Sequence, residues 1–357
     1  MNSRETIISL LNGQRPADVP AFSGLIHITV EGVAREGLVW TDIHHDAAKM
    51  AKAAASTFRV TGIPSTTLPL DFCAPAEALG AELLFYGEEE NMLPQVKKSL
   101  VESVREINSI LSLRASNSEQ SNLLPGEGIA SGRQSLPSQK QAMRMQIILE
   151  AIRLTKKDIG NDAVISGMLP GPYTLLLYLC NPSKLFTEMK KEPHTVTTAL
   201  FLLSSFLSRI GNAYREAGAD FITVHEMGGS PGFIGPARYE QFVHPALKKL
   251  IANLPKPNIL SVCGDATRSL SLLAESGAEG ISLDQTVDLA SARSALGETL
   301  LFGNLDPVAT LWRGDPDGVA ESARRAKEAG VDAVWPGCDL VPSTPVRNLR
   351  ALAGFRN

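Results

Sequence analysis

The sequence of 357 residues predicts an α/β fold of the (β/α)8 TIM barrel class. From about Asn161 onward, short apolar runs that end in polar residues and glycine alternate with stretches whose apolar residues recur at three- and four-residue spacing. This alternation is typical of a parallel sheet that is buried on both faces. The predicted strands of this part of the chain are residues 163–167, 221–225, 259–263, 280–284, 300–304 and 333–337.

Three of these strands follow a glycine that is typical of a helix C-terminus, at Gly218, Gly277 and Gly330. Six strands alone suit either a closed barrel or an open doubly wound sheet. The N-terminal half adds two candidate strands, near residues 19–22 and 62–68, which bring the total close to eight. The barrel is therefore the favoured interpretation.

Residues 110–140 are the weakest part of the pattern. Ser, Asn, Gln, Gly and Pro accumulate at 116–122 and 123–128, and this composition buries little apolar area. We interpret the region as an exposed loop or insertion within one barrel domain that covers residues 1–357. A linker between two domains is the alternative, but the flanking halves do not look self-sufficient.

Composition excludes several classes of function. With 44% hydrophobic residues and a net charge of −4, the chain has material for a large core and no bias toward nucleic acid. The N-terminus has no pattern of a secretory signal, and no segment is long and apolar enough to span a bilayer. The four cysteines are widely spaced, which indicates reduced thiols and a cytoplasmic location.

Polar residues cluster where the predicted strands end. In a parallel barrel these ends share one mouth, where active sites are built. Each residue alone has a structural explanation, as a capping carboxylate or a small buried thiol, but together they predict a site. The residues are Asp71, Cys73, His225, Glu226, Ser261, Cys263, Asp265, Asp284, Asn304, Asp306, Cys338 and Asp339.

Two of these residues suggest a metal. Cys263 ends one predicted strand and Cys338 follows the last, so barrel closure would bring both thiols to the mouth. Two thiolates suit zinc, whose catalytic sites use three protein ligands and leave a fourth position open. The chain has no CxxC pair, so spacing alone is a weak metal signal.

Three segments resemble motifs of the uroporphyrinogen decarboxylase superfamily. Residues 303–307 are similar to its GNLDP motif, residues 336–348 to its closing G-x-x-x-x-P-x-T-P motif, and residues 171–179 to its G-P-x-T-L motif. The resemblance extends from about Asp18 to Ala353 and implies the barrel fold.

Within that superfamily the sequence is more similar to the methylcobamide:coenzyme M methyltransferases than to the decarboxylases. The arginine-rich M-R-Q-A-G-R segment, which would hold propionate carboxylates, is missing, and Cys338 stands where the decarboxylases have histidine. Residues 45–51 and 70–80 are similar to segments of the methyltransferases.

The methyltransferase branch binds zinc through an H-x-C pair and the cysteine of the closing motif. Cys263 and Cys338 match two of these positions, but Ser261 stands at the histidine position. The resemblance thus implies Cys263 and Cys338 as catalytic metal ligands, with Glu226 or His225 as the substitute third ligand. Strand alternation turns only one of these two neighbours inward.

The resemblance implies transfer of a methyl group between methylcobalamin, supplied by a partner corrinoid protein, and a small acceptor such as coenzyme M or tetrahydrofolate. Zinc would present the acceptor as an anion. A tetrapyrrole decarboxylase and a non-catalytic corrinoid-protein partner without zinc are the alternatives. The candidate substrate-binding residues are Asp71, Tyr178, Asp284, Asn304 and Asp306. For Asn304 and Asp306 the alternative role is to stabilise the turn between a strand and the following helix.

Overall fold

A computed structural model of the chain describes residues 2–87, 90, 92–117 and 139–355. The strands in this part of the chain are β1 (Ser65–Leu68), β2 (Leu83–Leu84), β3 (Gln95–Val96), β4 (Val164–Pro170), β5 (Phe221–Glu226), β6 (Asn258–Val262), β7 (Gly280–Leu283), β8 (Leu300–Leu305) and β9 (Ala333–Pro336).

The α-helices are α1 (Ser3–Leu11), α2 (Val30–Arg35), α3 (Ala47–Thr61), α4 (Ala74–Ala78), α5 (Val104–Asn117), α6 (Gln139–Ile159), α7 (Pro172–Leu179), α8 (Pro182–Lys191), α9 (Pro193–Ala217), α10 (Pro231–Ile234), α11 (Pro236–Arg238), α12 (His244–Ala252), α13 (Leu270–Ala274), α14 (Leu289–Leu296), α15 (Pro316–Glu328) and α16 (Val346–Ala353). Two short 3-10 helices cover Trp40–His44 and Thr267–Ser269, and two π-helices cover Tyr239–Val243 and Pro307–Trp312.

Seven strands form one parallel sheet in the order β1-β4-β5-β6-β7-β8-β9, while β2 and β3 form a separate antiparallel pair. Each of the six strands predicted after residue 161 is confirmed, because short apolar runs between amphipathic helices specify buried parallel strands. The predicted helix-terminal glycines at 218, 277 and 330 all have positive φ angles.

The sheet is strongly curled. The Phe221 ring on β5 lies 6.5 Å from the Trp335 ring on β9, although three strands separate β5 from β9 in the sheet. Phe22 contacts both of these rings and Phe302 of β8. This aromatic cluster fills the concave side of the sheet together with Ile7, Leu10 and Leu11 of α1.

The N-terminal segment near residues 19–22 is not a regular strand. Val334 of β9 donates a backbone hydrogen bond to the carbonyl of Pro20 (2.9 Å), and Ala21 and Val334 form a single parallel bridge. At the other edge of the sheet, the backbone amide of Ser23 donates to the hydroxyl of Ser65 in β1 (2.9 Å). Of the barrel prediction, the parallel α/β sheet is confirmed: the described residues form a curled sheet of seven parallel strands, not eight, and both edges of this sheet contact the segment.

Pairing along this segment ends at Gly24, where the chain passes close to the sheet interior. A Cβ atom on Gly24 would lie 2.3 Å from the hydroxyl of Thr223 in β5, and the carbonyl of Gly24 accepts a hydrogen bond from Ser166 in β4 (3.0 Å). Only glycine permits so close an approach. The segment therefore leaves the sheet edge instead of extending the ladder.

The predicted loop at 110–140 is helical at both ends, because α5 continues to Asn117 and α6 begins at Gln139. Residues 118–138 lie outside the described part of the chain. The two sides of this gap share the sheet, since β1 before it pairs directly with β4 after it. None of the described helices combines the length and apolar character that a membrane crossing requires.

Candidate metal centre

His225, Cys263 and Cys338 meet at the C-terminal ends of three strands. His225 lies near the end of β5, Cys263 directly follows β6, and Cys338 comes two residues after β9. The Nε2 atom of His225 is 3.4 Å from Sγ of Cys263 and 3.7 Å from Sγ of Cys338. The two sulfur atoms are 2.6 Å apart, and both cysteines are free thiols. Three soft or borderline donor atoms thus lie within 4.8 Å of one another.

Strand register explains why His225 completes this group. His225 of β5 pairs with Ser261 of β6, and paired residues of neighbouring strands point to the same side of a sheet. Cys263 lies two residues beyond Ser261 and shares that side. The imidazole therefore approaches from the strand beside Ser261, the position at which the motif of the methyltransferase branch has its histidine.

Glu226 points away from the thiols. Its carboxylate accepts hydrogen bonds from the backbone amides of Tyr173 (3.2 Å), Thr174 (3.0 Å) and Gly229 (2.9 Å). Burial raises the pKa of Glu226, although the hydrogen bonds from Thr174, Gly229 and Tyr173 oppose that rise. The structure thus places Glu226, predicted as a catalytic metal ligand, outside the group of donor atoms, because the neighbouring residue His225 occupies the inward face.

The contacts of Glu226 also explain the segment that resembles the G-P-x-T-L motif. Gly171 is the N-cap of α7 and offers no side chain to the first-turn amides, which Glu226 binds instead. A Cβ atom on Gly171 would lie 2.1 Å from Oε2 of Glu226. A carboxylate at a helix N-terminus is favoured by the helix dipole, so this motif holds β5 to α7.

The His225 ring is fully buried beside Phe72 and Asp339. Phe72 stacks on the imidazole with a centroid distance of 5.3 Å and an interplanar angle of 28°. Oδ2 of Asp339 is 3.5 Å from Nε2 of His225, and Oδ1 accepts a hydrogen bond from the backbone amide of Ile26 (2.7 Å). Nδ1 of His225 has no hydrogen-bond partner among the described residues. Asp339 is one of the polar residues at the predicted strand ends, but the sequence predicted no role for it.

The electrostatics favour one thiolate in this group. Hydrogen bonds from Cys263 and His225 hold the pKa of Cys338 well below its usual value despite burial. The hydrogen bond to Cys338 and burial together raise the pKa of Cys263. Burial lowers the pKa of His225, but Asp339 and Cys338 outweigh it and the net pKa is raised. Burial raises the pKa of Asp339 to about 7.

This donor set fits zinc. One imidazole nitrogen and two thiolates are the ligands that catalytic zinc uses when a fourth position stays open for a substrate. His225 is buried, whereas Cys263 and Cys338 are partly exposed. The side of the donor group that solvent can reach is therefore the side of the two thiols.

Asp71 and Tyr178, both predicted to bind the substrate, are buried to different degrees. Asp71 is buried and forms an ion pair with Arg144 of α6, a residue that no sequence motif indicated. Tyr178 on α7 is half-buried, and burial, Cys73, Asp339 and Asp71 all raise its pKa. The carboxylate of Asp71 is thus bound by Arg144 and by the backbone amides of Cys73 and Ala74, while Tyr178 is close enough to Asp339 for their charges to interact.

Asp284, Asn304 and Asp306 have mainly local contacts. Asp284 accepts hydrogen bonds from the amide and hydroxyl of Thr286 (2.9 and 2.8 Å), and its charge contributes to the raised pKa of Cys263. The amide of Asn304 donates to the carbonyls of Asp284 (3.0 Å) and Val287 (2.8 Å). Asp306 caps the π-helix that follows β8. For Asn304 and Asp306, these contacts favour the turn role over the substrate role.

Comparisons with known proteins identify the family of the chain. The sequence profile of the uroporphyrinogen decarboxylase family (URO-D) matches residues 2–357. The chain is 30% identical to the methylcobamide:CoM methyltransferase MtbA of Methanosarcina acetivorans over 98% of this chain and 96% of that protein. A uroporphyrinogen decarboxylase of Citrifermentans bemidjiense is 29% identical, but over only 49% of this chain and 53% of that protein. A solved methyltransferase from Methanosarcina mazei matches with a TM-score of 0.84 and 25% identity, covering 99% of this chain and 97% of that one.

The chain belongs to the uroporphyrinogen decarboxylase family. Similarity to a methylcobamide:CoM methyltransferase covers nearly the whole chain, whereas similarity to the decarboxylase covers about half of it. The resemblance to the methyltransferase branch, indicated in the sequence by Cys338 and by residues 45–51 and 70–80, is thus confirmed.

Proposed function

We propose that this protein is a corrinoid-dependent methyltransferase that moves a methyl group between a corrinoid protein and a small thiol, with zinc held by His225, Cys263 and Cys338. The observation that carries the proposal is the convergence of these three donor atoms within 4.8 Å at the ends of β5, β6 and β9. The named relative, a methylcobamide:CoM methyltransferase, supports the substrate class.

Zinc bound here would act as a Lewis acid that lowers the pKa of an acceptor thiol and presents it as a thiolate at neutral pH. In the transfer, the acceptor sulfur forms a bond to the methyl carbon while the cobalt–carbon bond breaks and its electron pair remains on cobalt. Coenzyme M is the acceptor that the relative's name suggests, and tetrahydrofolate is a second candidate.

The residues of the chain orient the acceptor and exclude water. His225 and its buried surroundings close the inner side of the centre, so the acceptor enters from the partly exposed side of Cys263 and Cys338. We assign Tyr178 to the wall of this approach, because it is partly exposed and interacts with the charge of Asp339, while the buried Asp71 supports the wall through its ion pair with Arg144. Holding donor and acceptor in line supplies much of the rate enhancement in such a reaction.

We also propose that residues 20–25 close the sheet into a barrel in place of an eighth regular strand, within a single domain. Hydrogen bonds from this segment to both β9 and β1 support the closure. A corrinoid protein would then meet the mouth formed by the loops that follow the strands, where functional residues of such folds collect.

The test combines metal analysis with a transfer assay. Protein purified without chelator is expected to contain one zinc per chain, and to demethylate a methylated corrinoid, followed by the cobalt spectrum, when coenzyme M or another thiol is added. Zinc without demethylation by any thiol or by tetrahydrofolate would refute methyl transfer. Protein without zinc that takes none up on titration would refute the metal role and favour a non-catalytic partner of a corrinoid protein.

A further inference from the structure

No described residue makes with the imidazole of His225 the hydrogen bond that usually orients a metal-binding histidine. Such a histidine normally donates its second ring N–H to a carboxylate, a backbone carbonyl or water, which fixes both the tautomer and the ring plane. In this protein Nε2 faces Cys263, Cys338 and Asp339, while the buried Nδ1 has no partner among the described residues. Among the described residues, packing contacts are thus what holds the plane of the ring.

Phe72 supplies the one ring contact described for His225. Its ring lies nearly parallel to the imidazole, 5.3 Å between centroids with 28° between planes, and Phe72 is itself 91% buried (9% exposed). Stacking against a fixed face opposes rotation about the Cβ–Cγ bond, which would carry Nε2 away from the two sulfur atoms.

Phe72 is held in place from both sides along the chain. Oδ1 of Asp71 accepts hydrogen bonds from the backbone amides of Cys73 (2.8 Å) and Ala74 (3.1 Å), so the turn that contains Phe72 is closed. The other carboxylate oxygen of Asp71 is paired with Arg144, a buried guanidinium. The turn is thereby tied to α6.

The far side of Arg144 is also fixed. Its Nη1 atom binds Oε2 of Glu77 at 2.7 Å, and its guanidinium lies over the Phe85 ring at 5.2 Å from the centroid. Buried ion pairs of this kind tolerate little movement, because breaking one leaves an uncompensated charge. Arg144, Asp71 and Phe72 therefore form a continuous support that ends at His225.

We propose that Phe72 is a positioning residue that orients His225 for metal binding by stacking, in place of a hydrogen bond from its second ring nitrogen. The inference rests on the proposed role of His225 as a zinc ligand. It makes the affinity for zinc depend on a side chain that contributes no donor atom.

The test compares Phe72→Leu and Phe72→Met with the conservative Phe72→Tyr. The matched control is Phe242→Leu, which truncates another buried ring (2% exposed) in the π-helix Tyr239–Val243. Zinc dissociation constants are measured under reducing conditions by competition with a chromophoric chelator. Phe72→Leu and Phe72→Met should weaken zinc binding by about 10- to 100-fold, the usual effect of losing an orienting partner, while Phe72→Tyr and the control stay near wild type.

Thermal unfolding shows which variants are folded, and Phe72→Met, which keeps most of the volume, replaces Phe72→Leu if that variant does not fold. Unchanged zinc affinity in a folded variant without the ring would overturn the inference while leaving the proposed zinc site intact. An equal loss in Phe242→Leu would also overturn it, since the effect would then be one of general stability.

Metal-free protein provides an independent readout. With histidine labelled in the ring, the His225 protons of the wild type should be shifted by the Phe72 ring current and show one ring orientation. Phe72→Leu should lose that shift and show exchange between orientations. If wild-type protein binds no zinc, the proposed metal role fails, and unchanged His225 resonances in the variant would then overturn the stacking inference as well.

Discussion

Glu226→Ala and His225→Ala should have opposite effects, although the two residues are neighbours. Glu226 accepts four hydrogen bonds, from the amides of Tyr173, Thr174 and Gly229 and from the hydroxyl of Thr174. Its removal leaves these donors buried without a partner, whereas His225 accepts none of them. We expect Glu226→Ala to lose stability and keep zinc, and His225→Ala to lose zinc.

The size of the stability loss follows from these contacts. Each unsatisfied buried donor costs roughly 1–3 kcal/mol, but water entering the space left by the side chain recovers part of that cost. Removing one partner of a buried charged network typically costs about 3–5 kcal/mol, and we expect a loss in that range for Glu226→Ala. Glu226→Gln should lose less, about 1–2 kcal/mol, because its amide oxygen still accepts from Thr174 and Gly229 and only the longer contact to Tyr173 becomes unfavourable.

Urea unfolding followed by circular dichroism measures the first effect, and zinc stoichiometry by a chelating dye measures the second. The matched pair Glu226→Gln and His225→Gln introduces the same amide at adjacent positions and controls for the mutation itself. Loss of zinc from folded Glu226→Ala, with the free energy of unfolding unchanged, would refute the assignment of the inward face to His225.

Three further predictions follow from the structure, two for the metal centre and one for the buried His44. Cys263→Ala should reduce zinc from one per chain to none, since it removes one of three protein ligands. The control Cys180→Ala should keep its zinc. Zinc that stays bound to Cys263→Ala in the presence of a chelator would contradict the ligand set. Ser261→His should restore zinc binding to His225→Ala, because positions 261 and 225 face the same side; a double variant that stays metal-free would count against this register. Burial lowers the pKa of His44 from 6.5 to about 4. Between these two pH values the unfolded chain binds a proton at His44 that the folded chain does not bind. The free energy of unfolding therefore falls by up to about 3 kcal/mol as the pH is lowered from 6.5 to 4. Urea unfolding of His44→Phe should show a shallower loss over that range, and an equal slope would exclude His44 as the cause.

Much of the architecture follows from local pattern. The strands after residue 161 were predictable because their apolar runs are short and bounded by helix-terminal glycines. The N-terminal segment was not, because residues 20–23 pair through a single bridge and then turn inward at Gly24. Arg144 was also invisible, since its partner Asp71 lies 73 residues away and no motif links them.

The amino-acid pattern was enough to predict the family, the alternation of strands and helices, and the two cysteines, whose convergence follows once their strands share a sheet. The third donor atom could be identified only from the folded chain. His225 and Glu226 both lie on a strand that is buried on both faces, so no hydrophobic alternation marks the inward side. The pairing of His225 with Ser261 settles the choice, because a shift of one residue would exchange the two side chains between faces.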